Sequence, residues 1–369
     1  MPELDSVRGI AITGVVLLHA FYWQYSNFHF SGLPRIILLA TQPGWLGVNL
    51  FFVLSGFLIT GILLDSKSKP QYFRRFYTRR ALRILPAYYL LLILLALLHQ
   101  ASAPFLGLSF VYLANVTALF GVASSYGPLW SLAVEEHFYI FWPAFVYKLT
   151  RKTLTIATVA MCVIIPILRA VSFQMGYRAG LAWYTWFVAD GLATGCLLAI
   201  LLRTSISRKM VARLCAAMLL GGLALACVGW PFGILTRERI LGAALQETVI
   251  DVIFAGFLLL VLLVGTNSRS HYVNNRLLGF LGYISYGLYL IHLLVFRLYD
   301  KLSRNFWPSL LPADGQFGLI ALRFILAGGA AVALAYLSRR YFEEPFLRLK
   351  DRFARPERTE PLVKAIGLD

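Results

Sequence analysis

A series of long apolar runs limits this 369-residue chain to a membrane fold. A helix needs about 20 mainly apolar residues to cross a hydrocarbon core about 30 Å thick. Runs of this kind lie at residues 8–25, 45–65, 82–98, 130–149, 153–172, 182–202, 210–229, 241–264, 278–298 and 317–338. Hydrophobic residues make up 59% of the chain and charged residues only 14%, which is outside the range of soluble domains. The sequence therefore predicts an all-α polytopic membrane protein, a bundle of about ten transmembrane helices.

The basic residues indicate the topology of the predicted bundle. The formal net charge is +17, but with a cytoplasmic N-terminus most basic residues fall in cytoplasmic loops and after the last span, as the positive-inside rule requires. We therefore predict that both termini are cytoplasmic and that the charge does not serve nucleic-acid binding. The chain has one more apolar stretch, at 104–121. If this stretch crossed the bilayer, every later loop would lie on the opposite side of the membrane and the basic loops would no longer be cytoplasmic. We interpret it as a re-entrant or interfacial helix on the outer side.

The chain is predicted to form one integral membrane domain at 1–350, followed by a short polar cytoplasmic tail at 351–369. The first apolar run follows an acidic N-terminus and lacks a small-residue cleavage site, so we interpret it as a retained span rather than a signal peptide. The four cysteines lie in apolar runs without the spacing of zinc ligands. They predict neither a disulfide framework nor a metal site.

Ionisable residues inside the apolar runs are the strongest functional signal, because charges at that depth are costly and usually functional. Arg8 and His19 lie on the first run with ten residues between them. At about 100° per residue they share nearly one helix face, with His19 about 16 Å deeper. At about 1.5 Å per residue, Glu136, Asp190 and His292 reach the same layer as His19. Such a layer predicts a hydrated cavity, whereas a lone member would tie helices together.

An unusual number of arginines precedes the third apolar run. The segment KSKPQYFRRFYTRRALRILPAYY holds Arg80 and Arg83, which are three positions apart and point the same way on a helix. Guanidinium forks suit phosphate, so this pair is a candidate for holding a cofactor with several phosphates at the cytoplasmic mouth. Anchoring of the loop or binding of anionic lipid explains the other arginines.

Six blocks of sequence, in order along nearly the whole chain, resemble the membrane-bound acyltransferase 3 family of O-acetyltransferase-like proteins. They are ELDSVRGIAITGVVLLHA at 3–20, GVNLFFVLSGFLIT at 47–60, RRALRILPAYY at 79–89, PLWSLAVEEHFYIFWP at 128–143, LGYISYGLYLIH at 281–292 and EEPFLRL at 343–349. The family's arginine and histidine motif matches Arg8 and His19, and its paired arginines match Arg80 and Arg83. Its tryptophan-to-glutamate motif matches residues 130–136.

The resemblance implies transfer of an acyl group, acetyl in most relatives, from acyl-coenzyme A to a hydroxyl of a glycan, glycolipid or small molecule. His19 suits the general base, with Glu136 or Asp190 as the carboxylate that orients its ring. An acyl-histidine intermediate remains open. Arg8, together with the paired arginines, suits the phosphates of the donor. The possible substrate-binding residues are Asn49, Ser55, Trp130, Tyr289 and His292.

Two other functional classes fit parts of the sequence. A proton-coupled secondary transporter would use the same intramembrane polar layer, although the chain shows no repeated halves. A membrane scaffold that binds lipid would explain the basic loops but not the shared layer of ionisable residues. The resemblance favours the enzyme, placed as a multi-pass protein in a bacterial inner (plasma) membrane, with membrane lipid around it.

Overall fold

The computed structural model describes residues 2–265 and 275–353, and all regular structure within them is helical. The predicted tail lies outside the described residues from position 354 onward, and its boundary stays a prediction. The helices of seven residues or more are α1 Pro2–Leu17, α2 Gly32–Thr41, α3 Leu46–Ser66, α4 Tyr72–Leu97, α5 Ala103–Phe110, α6 Leu129–Lys148, α7 Arg151–Gln174, α8 Asp190–Leu201, α9 Arg208–Gly229, α10 Ile240–Gly265, α11 Arg276–Tyr283, α12 Ser285–Phe306, α13 Phe317–Arg323, α14 Gly329–Leu337 and α15 Glu344–Phe353.

The described residues form two compact units. The first unit holds residues 2–48, 79–102 and 275–353, and the second holds residues 49–78 and 103–265. Each unit combines segments that are far apart in the sequence, so each depends on contacts that no local pattern specifies.

Glycines allow helix backbones to approach closely inside each unit. In the first, a Cβ atom on Gly9 of α1 would lie 2.1 Å from the carbonyl oxygen of Leu278 on α11. In the second, a Cβ atom on Gly195 of α8 would lie 2.0 Å from the carbonyl oxygen of Val53 on α3. Small residues at such crossings let dispersion contacts form between backbones, which is a main source of helix association in lipid.

Seven helices of the described chain are long and apolar enough to cross a membrane, or eight if one bent pair counts as a single span. The protein is therefore a multi-pass integral membrane protein. The bent pair is α11 and α12, which meet at an angle of 76° within the predicted span at 278–298. The predicted orientation of the termini stays a prediction, because length and composition do not orient a helix.

The other two predicted spans differ from the seven for identifiable reasons. At 130–149, α6 has the necessary 20 residues, but Glu135 and Glu136 lower its hydropathy. At 182–202, the helix is interrupted: a four-residue α-helix at Thr185–Val188 is followed by α8, which begins at Asp190, has 12 residues and is shorter than predicted. An aspartate is favourable at the first turn of a helix because it faces the positive end of the helix dipole.

The apolar stretch at 104–121 does not form a long helix. It contains α5, which has eight residues, and a 3-10 turn at Thr117–Phe120. Each is far shorter than the roughly 20 residues of a spanning helix. The re-entrant or interfacial placement of this segment stays a prediction.

Candidate active site

His19 lies in a π-helical turn, Leu18–Tyr22, that continues α1. Single π-helical turns inside α-helices are frequent at functional sites. The Nδ1 atom of His19 is 2.8 Å from the carbonyl oxygen of Val15. A carbonyl oxygen only accepts hydrogen bonds, so Nδ1 carries the hydrogen and donates it. A neutral imidazole has one such hydrogen, which leaves a lone pair on Nε2 of His19 for chemistry.

His292, which the depth arithmetic predicted to share a layer with His19, lies beside it. It is fully buried on α12, and its Nε2 atom is 3.4 Å from Nδ1 of His19. The two ring centroids are 5.0 Å apart. Tyr289, one turn earlier on α12 and itself buried, has its ring centroid 6.0 Å from that of His292. Because no surface of His292 is exposed, it is not placed to bind a substrate directly.

A buried arginine holds the turn that carries His19, and sequence reasoning assigned it no role. Arg323, at the end of α13, is paired with Asp300 through contacts of 2.6 and 2.8 Å. Its Nη1 atom donates to the carbonyl oxygen of Ala20 at 3.4 Å, inside the π-helical turn. The guanidinium also lies 4.6 Å from the ring centroid of Phe296. The sequence does contain a signal for Arg323, because it is a charged residue inside the apolar run at 317–338.

The predicted donor-binding arginines belong to the first unit. Arg8 is half-buried on α1 and donates to Asp5, three residues earlier, at 2.5 Å. Arg80 is half-buried and Arg83 is exposed, both on α4. The positive charge of Arg83 acts on Glu343, the residue immediately before α15. Arg8 and Arg83 therefore have acidic neighbours with which an anionic ligand would compete.

Asp190, in the second unit, is held in a buried ion pair. Its carboxylate accepts from Arg169 of α7 at 3.0 and 2.8 Å, and from Thr248 of α10 at 2.7 Å. The side chains of Asp190 and Arg169 are each 1% exposed. Arg169 was missed in the sequence, although an arginine within the apolar run at 153–172 was the signal. Both oxygens of Asp190 are engaged, which supports a structural role rather than the predicted orientation of His19.

A second polar cluster lies on α3 and α10 of the same unit. Asn49 is buried and donates to Glu247 at 2.8 Å and to Asp251 at 3.1 Å. Glu247 in turn accepts from Arg237. The amide of Asn49 is thus used within the protein, so the structure gives its predicted role in substrate binding no support.

The residues predicted for the site include Glu136 of α6, and the neighbouring Glu135 has a defined contact. Ser55 of α3 donates to Glu135 at 2.5 Å, and its hydroxyl is 3.3 Å from that of Tyr139. Glu135 and Glu136 are both half-buried.

Trp130 begins the same helix within an aromatic cluster. Its ring centroid lies 5.9 Å from that of Phe52 and 5.5 Å from that of Trp183, both edge to face. Trp130 is half-buried, and Trp183 is 42% exposed. An aromatic surface of this kind suits a sugar ring, whose axial hydrogens pack against a π-face.

Metal ligands are not clustered in the part of the chain that the structure describes. Residues 2–265 and 275–353 contain no group of three or more His, Cys, Asp or Glu side chains placed to hold a metal ion. The cysteines are free, with Cys196 and Cys215 buried, Cys162 half-buried and Cys227 exposed.

Comparison with known proteins identifies a family and several relatives that this chain matches. The family model of the acyltransferase domain (Acyl_transf_3) matches residues 1–340. The peptidoglycan O-acetyltransferase OatA of Listeria monocytogenes is 26% identical over 365 residues, which is 88% of this chain and 54% of that protein. The putative peptidoglycan O-acetyltransferase YrhL of Bacillus subtilis is 30% identical over 226 residues, which is 54% of this chain and 33% of that protein.

A putative O-acetyltransferase of Staphylococcus aureus, MW0856, is 31% identical over 170 residues, which is 40% of this chain and 25% of that protein. The chain thus spans about half or less of the length of these relatives. No solved structure matches it significantly. With a match over residues 1–340, the chain belongs to the acyltransferase 3 family.

Proposed function

We propose that this chain is an integral membrane O-acyltransferase that moves an acyl group, acetyl in the first instance, from acyl-coenzyme A to a hydroxyl of a glycan. Glycolipids and small molecules are further acceptors of the same chemistry. The observation that carries the proposal is the geometry of His19, whose Nε2 lone pair is left free by the hydrogen bond from Nδ1 to Val15. The names of the relatives support acetyl as the group and peptidoglycan as the class of acceptor. A bacterial inner membrane is the proposed location.

In the proposed reaction, Nε2 of His19 removes the proton of the acceptor hydroxyl while that oxygen attacks the thioester carbonyl. A carbon–oxygen bond forms, the carbon–sulfur bond breaks, and the leaving thiolate takes the proton from His19. In the alternative route, Nε2 attacks the thioester carbonyl, the carbon–sulfur bond breaks and the thiolate departs, which gives an acyl-histidine. The acceptor hydroxyl then attacks the acyl-histidine, which frees Nε2 and forms the ester, and the hydroxyl proton goes to the thiolate. Both routes use the same atom, so both require the hydrogen of His19 to stay on Nδ1.

The donor's phosphates are proposed to bind Arg8, Arg80 and Arg83. Guanidinium groups bind phosphate through paired, charge-assisted hydrogen bonds. The contact between Arg8 and Asp5 is partly exposed, and a partly exposed ion pair contributes only about 0–1 kcal/mol. A doubly charged phosphate therefore displaces Asp5 at small cost.

Residues of the second unit are proposed to have three kinds of role: catalysis, contact with the acceptor, and support of the fold. Glu136 stays the proposed catalytic carboxylate, and Ser55 and Trp130 the proposed acceptor contacts. Asp190 is proposed to have a structural role, since Arg169 and Thr248 occupy both of its oxygens.

Mass spectrometry of envelope glycans tests the proposal in cells with and without the chain. We expect acetylated glycan only when the intact chain is present, and its loss in His19→Ala. His29→Ala is the matched control, because the side chain of His29 is 92% exposed and pairs only with Asp314 among the described residues. Acetylation that persists in His19→Ala would exclude His19 as the base. Glycans that do not differ with or without the chain would contradict the enzyme itself.

A further inference from the structure

The hydrogen bonds of the two contacting histidines determine where each ring hydrogen lies. Nδ1 of His19 faces the carbonyl oxygen of Val15 at 2.8 Å, and Nδ1 of His292 faces that of Leu288 at 3.0 Å. Both Nδ1 atoms are therefore donors. A neutral imidazole holds one ring hydrogen, so Nε2 of His292 carries a lone pair. That lone pair faces the Nδ1–H group of His19 at 3.4 Å.

We propose that His292 is the positioning residue of His19: a neutral imidazole whose Nε2 shares the single Nδ1 hydrogen of His19 with the carbonyl oxygen of Val15, and so helps to keep Nε2 of His19 free as the reactive nitrogen. The inference rests on the proposed function. Among the described residues, a carbonyl oxygen and a second imidazole are the hydrogen-bond partners of the His19 ring.

The contact gains strength during the reaction. When Nε2 of His19 takes the proton of the acceptor hydroxyl, the ring becomes an imidazolium, and its Nδ1–H becomes a charge-assisted donor. Catalytic hydrogen bonds are often long before substrate binds and shorten in the reacting complex. His292 receives no proton in this step, since its lone pair only accepts a hydrogen bond. The proton on Nε2 passes to the thiolate that leaves.

The surroundings of the pair explain why a neutral acceptor is useful there. One positive charge that acts on His19 is that of Arg297, from the same helix as His292. Its positive charge opposes a second positive charge on His19, so the imidazolium needs a local acceptor. Phe296 lies edge to face against His292 at 6.5 Å between centroids, and Trp23 lies 6.0 Å from His19. Phe296 is fully buried and covers one side of the pair.

Two substitutions at His292 separate positioning from packing. Oε1 of a glutamine lies near the position of a histidine Nε2, so His292→Gln keeps an acceptor, whereas His292→Phe keeps the volume and removes it. A hydrogen bond to a charged group is worth about 10- to 150-fold in rate. We expect His292→Phe to lower kcat for acetyl transfer by about that factor with KM for acetyl-coenzyme A unchanged, and His292→Gln to restore most of it. Equal loss in both folded variants, or a change in KM alone, would overturn the proposal.

The ring hydrogen can also be located without any activity. In ¹⁵N-histidine-labelled protein in nanodiscs, with His19→Gln used to assign its signals among the six histidines, we expect the neutral ring of His19 to carry its hydrogen on Nδ1. In His292→Phe we expect a mixture of the two forms. A native His19 with its hydrogen on Nε2 would overturn the proposal even if the variants fail to fold. Native protein that transfers no acetyl group would refute the proposed function while leaving this spectrum as a separate result.

Discussion

Replacing Asp190 by asparagine distinguishes a structural aspartate from a catalytic one. The carboxylate neutralises Arg169, a guanidinium with a 1% exposed side chain that cannot lose its charge. Arg169 also donates to the carbonyl oxygens of Phe187 at 2.6 Å and Ala244 at 2.8 Å. Asparagine is nearly the same size, but its amide group is neutral. The variant therefore leaves a positive charge buried without an opposite charge beside it.

The expected cost follows from the burial of the pair. Removing one partner of a buried ion pair destabilises proteins by about 3–5 kcal/mol, because the remaining charge keeps its desolvation penalty. At about 1.4 kcal/mol per factor of ten, the ratio of folded to unfolded protein falls by about two to four orders of magnitude. The exposed contact between Arg348 and Glu344, with the Arg348 side chain 74% exposed, provides the comparison, since such pairs contribute about 0–1 kcal/mol.

Reversible unfolding by SDS in mixed micelles, followed by the fluorescence of the eight tryptophans, measures the effect. We expect Asp190→Asn to unfold at much lower SDS, Arg348→Met to match the native chain, and the double variant Arg169→Met with Asp190→Leu to recover most of the loss because no charge remains. The folded fraction of Asp190→Asn should keep its native turnover. Native stability combined with lost turnover would refute this reasoning and return Asp190 to the catalytic residues.

Three further predictions concern other parts of the fold. In a detergent-extraction assay, Gly195→Ala should strongly reduce the yield of folded protein, because the added Cβ atom would lie 2.0 Å from a backbone oxygen. Gly107→Ala should have no effect, because a Cβ atom at that position has no neighbour within 4 Å. Arg323→Met should destabilise by up to about 3 kcal/mol, measured by the same SDS unfolding, because the half-buried Asp300 loses the cation that neutralises it. Hydrogen bonds from His29 lower the pKa of Asp314. The contact between His29 and Asp314 therefore persists at pH values above the ordinary aspartate pKa of about 3.9, and it breaks as the pH falls through the lower pKa that Asp314 has in the folded protein. The protection factor of the His29 amide, which is the exchange rate corrected for its intrinsic dependence on pH, should therefore fall only in acid. A protection factor unchanged down to pH 2 would contradict this.

Transmembrane segments and depth could be predicted from the sequence because both depend on properties of single helices. Hydropathy located most of the spans, and a fixed rise of about 1.5 Å per residue placed His19 and His292 at one depth. Their contact at 3.4 Å agrees with that estimate. The resemblance over the whole chain is confirmed by the family match over residues 1–340.

Lateral arrangement could not be predicted in the same way. Depth alone does not specify which residues of one layer face each other, and the pairing of Asp190 with Arg169 could not be predicted from it. The π-helical turn around His19 and the 76° bend between α11 and α12 depend on packing between distant segments. The short α8 begins where that ion pair holds its first residue. Each of these features requires the contacts of the folded chain.

The most direct test of the account is acetyl transfer by the purified protein in nanodiscs. With acetyl-coenzyme A labelled in the acetyl group and muropeptides as acceptor, we expect release of the coenzyme A thiol together with labelled ester on the muropeptide. His19→Ala should reduce both to background, and His29→Ala should leave both unchanged. Ester formation that His19→Ala does not diminish would contradict the role of His19. Solute or proton flux in sealed vesicles without consumption of any acyl donor would contradict the enzyme.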